Sequence, residues 1–218
     1  ADGYSLLMVS SSTPVFNVVM VPNLGYDPFR DLVPLVGYAK NMLTLNLGPS
    51  TPFKTAREFI AAAKAQPGKL TFASATTAQR LAGELLLAQA GIQLLNVPYK
   101  TSSQAATALA SGEVDMQMLD AASMRPLWQS GRVRAVAASG ASRMQSLPQL
   151  PTLREEGVAD YDFTAWFATY FARGTPPAIA ERMSEILRRA MKTPGVVETL
   201  SAGGMEPLDM SGAELTQL

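Results

Sequence analysis

The sequence predicts an α/β fold divided into two lobes, and three observations support this prediction. The chain has 218 residues, enough for two lobes of roughly 100 residues that each bury a hydrophobic core. Strand-like and helix-like segments alternate through its middle, an order typical of a parallel sheet covered by helices. Clusters of Gly, Pro, Ser and Thr at 48–52 and 174–177 are where the chain is expected to cross between lobes. We therefore predict lobe 1 from residues 1–48 and 166–218, and lobe 2 from residues 49–165.

The composition excludes several functional classes. Cysteine and histidine are both absent, which removes disulfides, thiolate catalysis, Ser-His hydrolases, haem sites and the commonest zinc sites. Eighteen basic and eighteen acidic residues cancel, and no stripe of Lys and Arg suited to a phosphate backbone is present. No apolar stretch reaches membrane-spanning length, and the first residues do not resemble a signal peptide. The sequence predicts a folded domain with no cofactor, no metal and no nucleic-acid partner.

The first part of the chain predicts two or three strands and a short helix. Tyr4 to Ser10 is apolar and is expected to form a buried strand that runs into a small polar loop. A short helix around 15–20 precedes a turn at 26–28, and 35–47 alternates enough to form one or two strands. A buried strand that ends in a small polar loop is a common arrangement at a binding edge.

The middle of the chain predicts the parallel sheet. Thr55 is a suitable N-cap for a helix from Ala56 to Ala65, which Pro67 and Gly68 end. After it, strands and helices alternate, with glycines closing two of the helices. We predict strands at 70–73, 96–99, 114–119 and 133–138, and helices at 79–90, 101–110 and 123–129.

The last part of the chain predicts one strand and three helices. A helix is expected to begin near Thr152, and the aromatic segment from Phe163 to Phe171 favours a strand. Pro176 and Pro177 are suited to a helix start, and helices at 178–192 and 195–202 complete the prediction.

Three loops rich in small hydroxyl residues each lie between a predicted strand and a predicted helix. Helix N-termini bind anions through exposed N–H groups, and ligands bind open α/β sheets at the carboxyl ends of the strands. The alternative for each loop is that its hydroxyl groups only cap the following helix. The candidate ligand-binding residues are Ser10, Ser11, Ser12 and Thr13 in the first loop, Ser74, Ala75, Thr76 and Thr77 in the second, and Thr101 and Ser102, followed by Ser103, in the third.

A set of short strings occurs in an order that resembles a known family. They are Ala1-Asp2-Gly3-Tyr4-Ser5-Leu6-Leu7, Tyr26-Asp27-Pro28-Phe29-Arg30-Asp31, Pro67-Gly68-Lys69-Leu70, Val97-Pro98-Tyr99-Lys100, Gly112-Glu113-Val114-Asp115-Met116 and Gly131-Arg132-Val133-Arg134-Ala135. Leu150-Pro151-Thr152 with Glu155, Glu156 and Gly157, then Trp166 and Gly174-Thr175-Pro176, extend the pattern almost to the C-terminus. Together these strings resemble the Bug family, the receptors of tripartite tricarboxylate transporters.

The resemblance implies a type II periplasmic-binding-protein fold of the Venus flytrap kind, with two α/β lobes joined by two crossing strands. It also implies a monomeric periplasmic receptor, its leader removed, that performs no chemistry. The receptor would hold a small carboxylate in the cleft between lobes and deliver it to the membrane permease subunits. Di- and tricarboxylates, acidic amino acids and aromatic acids are the ligands the resemblance implies.

Relatives in this family begin with an earlier strand and a Pro-Pro-Gly-Gly loop, so the N-terminal part of lobe 1 is expected to be missing here. We expect the natural protein to carry a strand-helix segment before Ala1, and Ser5 to Val9 to present an unpaired apolar edge without it.

Several single residues have two interpretations each. Asn17 matches an asparagine common in the family and either bonds the ligand or holds its loop. Asp120 either accepts from a ligand hydroxyl or ammonium group or from a bridging water, or caps the helix that follows it. Lys100 either faces a second carboxylate or is solvated. Trp166 and Phe167 either wall the cleft or pack in the core.

Two other functional classes remain open from the sequence alone. The ligand-sensing domain of a transcription regulator shares the two-lobed fold but needs an attached DNA-binding domain. An enzyme would need a Ser-Lys pair, with a serine of Ser10 to Ser12 as nucleophile and Lys40 or Lys100 as base.

Overall fold

The computed structural model describes residues 2–217 of the chain, so Ala1 of the first string lies outside the described residues. A π-helical turn, Ser12–Phe16, precedes the first α-helix. The strands are β1 Leu7–Ser10, β2 Leu32–Leu47, β3 Thr71–Ser74, β4 Leu95–Pro98, β5 Met116–Asp120, β6 Arg134–Ala138, β7 Thr164–Ala172 and β8 Glu206–Ser211. The helices are α1 Asn17–Met20, α2 Pro28–Asp31, α3 Ala56–Ala65, α4 Thr77–Ala90, α5 Ser102–Ser111, α6 Ala121–Gln129, α7 Pro177–Met191, α8 Pro194–Ala202 and α9 Gly212–Leu215.

The chain divides into two compact units. Unit 1 comprises the residues up to Asn41 and those from Ala165 onward, and unit 2 comprises Met42–Thr164. The division therefore falls inside β2 and near the start of β7. The lobe boundaries predicted after residues 48 and 165 stay predictions, because a division by contacts does not by itself define functional lobes.

Unit 1 contains a sheet in which β7 and β2 are the central strands, β1 pairs antiparallel with β7, and β8 pairs antiparallel with β2. Leu35, Val36 and Phe171 are buried against the inner face of α7. Tyr170 and Leu215 form a second cluster with Trp166 beside them. Packing in this cluster supports the core interpretation of Trp166.

β1 is the edge strand of this sheet. Within residues 2–217 it pairs on one side only, with β7. It begins at Leu7 and not at Tyr4, which is 94% exposed, and Met8 is 58% exposed. The prediction of a buried strand is therefore wrong, whereas the expected apolar edge is present. The expected upstream segment stays a prediction.

Unit 2 contains a five-stranded sheet in the order β6-β2-β5-β3-β4. β3 pairs parallel with both β4 and β5, as the strand-helix alternation predicted. The predicted cap at Thr55 is confirmed, since its side chain accepts from the Glu58 N–H. Gly91 and Gly112 end α4 and α5 with left-handed backbone conformations, as predicted.

The predicted helix near Thr152 is wrong. Thr152 forms a single β-bridge with Ala138, and the Leu153 N–H donates to the Ala138 carbonyl. The Thr152 hydroxyl and the Glu155 carboxylate do exchange bonds with each other's backbone N–H groups. A helix-capping signal is therefore present, but the chain makes only turns before Gly157.

The end of the chain also differs from the prediction, which stopped at residue 202. β8 and α9 follow, and a capping box at Ser211 and Glu214 starts α9. No helix among residues 2–217 combines the length and the apolar character needed to cross a membrane.

Helix α4 lies unusually close to the sheet at Gly83. A Cβ atom at this position would lie 2.5 Å from Cε2 and 2.9 Å from Cδ2 of Phe72. Phe72 is fully buried, so its ring has little room to move.

We therefore expect Gly83→Ala to destabilise the fold by about 1–3 kcal/mol through overpacking, although alanine is the better helix former. Gly195→Ala in α8 is the matched control, because a Cβ there meets nothing within 4 Å. This control should gain up to about 1 kcal/mol. Urea unfolding followed by circular dichroism measures both, and a Gly83→Ala variant as stable as the unaltered chain would contradict the close approach.

Candidate functional site

The carboxyl ends of three parallel strands in unit 2 meet at one edge of the sheet. β3 and β4 run together to Ser74 and Pro98, and β5, parallel to β3, ends at Asp120. Helices α4, α5 and α6 each begin within four residues of a strand end. Three helix N-termini thus share this edge, the place where open α/β sheets bind ligands.

Each of the three helices is capped by a side chain that the sequence singled out. The hydroxyl of Thr76 accepts from the Gln79 N–H at 3.2 Å, and that of Thr101 accepts from the Gln104 N–H at 3.2 Å. The Asp120 carboxylate accepts from the Ser123 N–H at 2.8 Å. The capping interpretation is confirmed for all three, and a ligand contact by Asp120 stays a prediction.

The caps leave other first-turn N–H groups available. No acceptor is found within residues 2–217 for the N–H groups of Thr77, Ala78, Ser102 and Ser103. These groups carry the positive end of the helix dipole, and together they suit an anion such as a carboxylate. Lys100 is exposed, and among the described residues it has no carboxylate within 4.0 Å. Its role stays a prediction.

Two residues of the second loop already have partners inside the protein. Ser74 is buried, and its hydroxyl bonds to Oδ1 of Asn96 at 2.8 Å. The Ala75 N–H donates to Oε1 of Gln79 at 2.8 Å. These groups shape the loop, so any ligand contact from this segment has to come from Thr76, Thr77 or the helix N-terminus.

Gln79 is the residue that sequence reasoning missed at this site. It is 4% exposed, and its Nε2 donates to Oγ of Ser102 at 2.8 Å. This bond links the first turns of α4 and α5. The signal was available, because Thr76 followed three residues later by Gln79 is a capping-box pattern. Here the glutamine reaches the N–H of Ala75 and not that of the cap residue.

Gln117 was also missed. It lies on β5 opposite Asn46 of β2 and is fully buried. Its Nε2 lies 3.5 Å from the Ser102 carbonyl oxygen, and its Oε1 has no hydrogen-bond partner within the described residues. An unsatisfied buried polar atom costs about 1–3 kcal/mol, so Oε1 of Gln117 calls for a partner outside the protein, such as a ligand group or an ordered water.

The first candidate loop belongs to unit 1 and is held mainly by its backbone. The Ser11 N–H donates to the Trp166 carbonyl at 2.8 Å, and the Tyr26 hydroxyl donates to the Thr13 carbonyl at 2.9 Å. Ser11 precedes the π-helical turn without a side-chain capping bond, and its buried Oγ has no partner among residues 2–217. Capping therefore does not explain Ser11.

The other predicted residues of unit 1 are placed as follows. Ser10 pairs with Phe167 across β1 and β7, and Ser12 lies at the start of the π-helical turn. Asn17 begins α1 and is partly buried. The Phe167 ring lies 6.3 Å from that of Tyr38, an intramolecular packing contact. Ligand contacts by the loop residues and Asn17 stay predictions.

Comparisons with known proteins agree on one family. A family model for the tripartite tricarboxylate transporter family receptor matches residues 1–218. The Cupriavidus necator protein called "UPF0065 protein in gbd 5'region" is 33% identical over 218 residues, which are 99% of this chain and 65% of that protein. The chain thus spans less than two thirds of the length of that relative.

Two solved structures share the fold. The R. palustris protein Rpa4515 with adipate matches with a TM-score of 0.85 and 27% identity, covering 99% of this chain and 73% of that one. The periplasmic binding protein BugD matches with a TM-score of 0.80 and 25% identity, again covering 99% and 73%.

Capping by Asp120 has a measurable consequence. We expect Asp120→Ala to lower the free energy of unfolding by about 1 kcal/mol, because the Ser123 N–H loses its acceptor. Asp120→Asn is the matched control and should lose much less, since asparagine caps as well as aspartate. Urea unfolding measures both variants, and equal losses would show that Asp120 contributes through its charge and not as a cap.

Proposed function

The chain belongs to the tripartite tricarboxylate transporter receptor family, and from this premise we propose that it captures a small carboxylate. Membership confirms the resemblance to Bug proteins and the two-lobed periplasmic-binding-protein fold class. The family consists of receptors, which decides against the enzyme interpretation. A receptor family likewise favours transport over the alternative of a transcription regulator.

The observation that carries the proposal is the shared edge of α4 and α5 in unit 2. Four N–H groups there have no acceptor within residues 2–217, and the Ser102 hydroxyl lies among them. Donors without acceptors at two helix N-termini match the two oxygen atoms of a carboxylate. The adipate bound by Rpa4515 is a dicarboxylate of this kind.

The energy available is sufficient for a transport receptor. Micromolar binding requires about 8 kcal/mol. Hydrogen bonds to a charged group contribute about 1.5–3 kcal/mol each, so four or five of them supply roughly 6–15 kcal/mol, and bonds at the upper end of this range also offset part of the cost of association. No arginine is needed at the site for this affinity.

The proposal extends to the setting in which the protein works. We place it in the periplasm, as a monomer that delivers its ligand to the membrane permease subunits of a tripartite tricarboxylate transporter. Di- and tricarboxylates are the first ligands to test, followed by acidic amino acids and aromatic acids.

A thermal-shift screen of these acids, followed by calorimetry, tests the proposed function. We expect at least one dicarboxylate to raise the melting temperature, because a ligand that binds only the folded state stabilises it by mass action. A control with the matching diamine separates anion recognition from a nonspecific effect of a flexible chain. If no acid in the panel binds, the carboxylate proposal fails.

The double variant Thr101→Ala, Ser102→Ala locates the binding site. Removing both hydroxyl groups should weaken binding of the best acid about tenfold or more. Thr107→Ala with Ser111→Ala is the matched control, since these hydroxyls lie further along the same helix and donate to its own carbonyl groups, those of Ser103 and Ala108. An unchanged affinity in the first double variant would show that the hydroxyl groups of Thr101 and Ser102 do not contact the ligand and serve only the structure.

A further inference from the structure

We propose that Gln79 is a positioning residue that fixes the Ser102 hydroxyl as a hydrogen-bond donor toward the bound carboxylate. This inference rests on the proposed function and refines it, because it states which kind of ligand group faces Ser102. It follows from the direction of three successive hydrogen bonds, starting from the backbone of Ala75.

The first bond fixes the orientation of the Gln79 amide. A backbone N–H can only donate, so the group that meets the Ala75 N–H must be the amide oxygen of Gln79. The two atoms lie 2.8 Å apart. The terminal NH2 group of Gln79 is therefore directed away from Ala75. Because Gln79 is buried, water does not compete for either end of the amide.

The second bond fixes the role of Ser102. Nε2 of Gln79 lies 2.8 Å from Oγ of Ser102, and an amide NH2 group can only donate. Ser102 Oγ is therefore the acceptor, and its own proton must be donated elsewhere. Within residues 2–217 no acceptor for that proton is found. Ser102 is partly exposed and lies in the first turn of α5, beside the free N–H groups.

The three groups form a relay of fixed polarity from the Ala75 N–H through the Gln79 amide to the Ser102 O–H. Successive hydrogen bonds polarise one another, which makes the last hydroxyl a better donor. A ligand group that accepts, such as a carboxylate oxygen, satisfies this relay. A ligand group that donates, such as an ammonium, does not. We therefore infer that a carboxylate end of the ligand, and not an ammonium or a hydroxyl hydrogen, faces Ser102.

Gln79→Glu tests the relay because it reverses its polarity without changing its shape. An ionised carboxylate accepts both the Ala75 N–H and the Ser102 O–H, so Ser102 is turned away from the ligand. When the introduced carboxyl is protonated, its C=O accepts from Ala75 and its O–H donates to Ser102, which restores the original polarity. Burial of position 79 disfavours the ionised form and raises the pKa of the introduced carboxyl above that of a free glutamate. We expect affinity for the best acid of the panel to fall at least about tenfold at about pH 7.5 and to recover as the pH is lowered toward that raised pKa.

Gln104→Glu is the matched control. It adds the same charge in the first turn of α5, the helix that carries Ser102, whereas Gln79 lies in the first turn of α4. The Gln104 side chain is exposed, and its backbone N–H bonds to Thr101. The affinity of each variant is divided by that of the unaltered chain at the same pH. This ratio cancels the change in affinity that comes from protonation of the ligand itself. A pH-dependent loss in Gln79→Glu that greatly exceeds that in Gln104→Glu supports the relay. Equal losses, no loss, or a loss independent of pH would overturn it.

A measurement without ligand separates this inference from the proposed function. The side-chain NH2 signals of Gln79 in a two-dimensional NMR spectrum should shift when Ser102→Ala removes their acceptor. Unshifted signals would overturn the relay even if acids bind. If the signals shift but no acid binds, the relay exists and the carboxylate proposal has failed.

Discussion

The parallel pairing of β4, β3 and β5 is the constraint on which the candidate site depends. Parallel strands require a connection that returns the chain to the same end, and helices α4 and α5 provide these connections. Every helix that follows one of these strands therefore begins at the same edge. A site made from short hydroxyl residues gains from this arrangement, because two helix N-termini side by side supply the four or five donors that the proposed affinity requires.

Small residues let the helices lie close enough for this edge to form. Gly83 places α4 directly against the Phe72 ring, and α5 buries Ala105, Ala106 and Ala108. With short side chains at the contacts, the helix axes approach the sheet and the first turns of α4 and α5 come within reach of one glutamine. Gln79 spans that gap with two hydrogen bonds of 2.8 Å. The close packing of the helix bodies therefore makes possible the hydrogen bonds between the first turns of the helices.

Local capping signals predicted much of unit 2 correctly, and long-range pairing explains most of the errors. Thr55, Thr101 and Gly112 sit at helix ends as expected, because caps and left-handed glycines act within a few residues. Thr152 carried a similar signal, but pairing with Ala138 prevented a helix. β8 was missed because Pro207 and Asp209 are poor strand residues, and only pairing with β2 makes the segment extended.

The sequence predicted which loops carry the candidate site but not which hydrogen bonds form within it. Hydroxyl residues after strands could be recognised from spacing alone. The capping-box spacing singles out Gln79, but the partners of Gln79 and Gln117 could not be assigned from the sequence, because a buried glutamine looks like a solvated one until its contacts are known. The direction of the bonds, which decides whether a hydroxyl donates or accepts, exists only in three dimensions.

The discontinuity of unit 1 has a consequence for the order of events during synthesis. Unit 2 is one uninterrupted segment, Met42–Thr164, whereas unit 1 combines the first 41 residues with those from Ala165 onward. As the chain leaves the ribosome, unit 2 is complete while the early part of unit 1 still lacks β7 and β8. The apolar side chains of β1 therefore stay without their partner strand β7 while more than a hundred residues are synthesised. This interval is when a nascent chain of this type most needs protection by a chaperone.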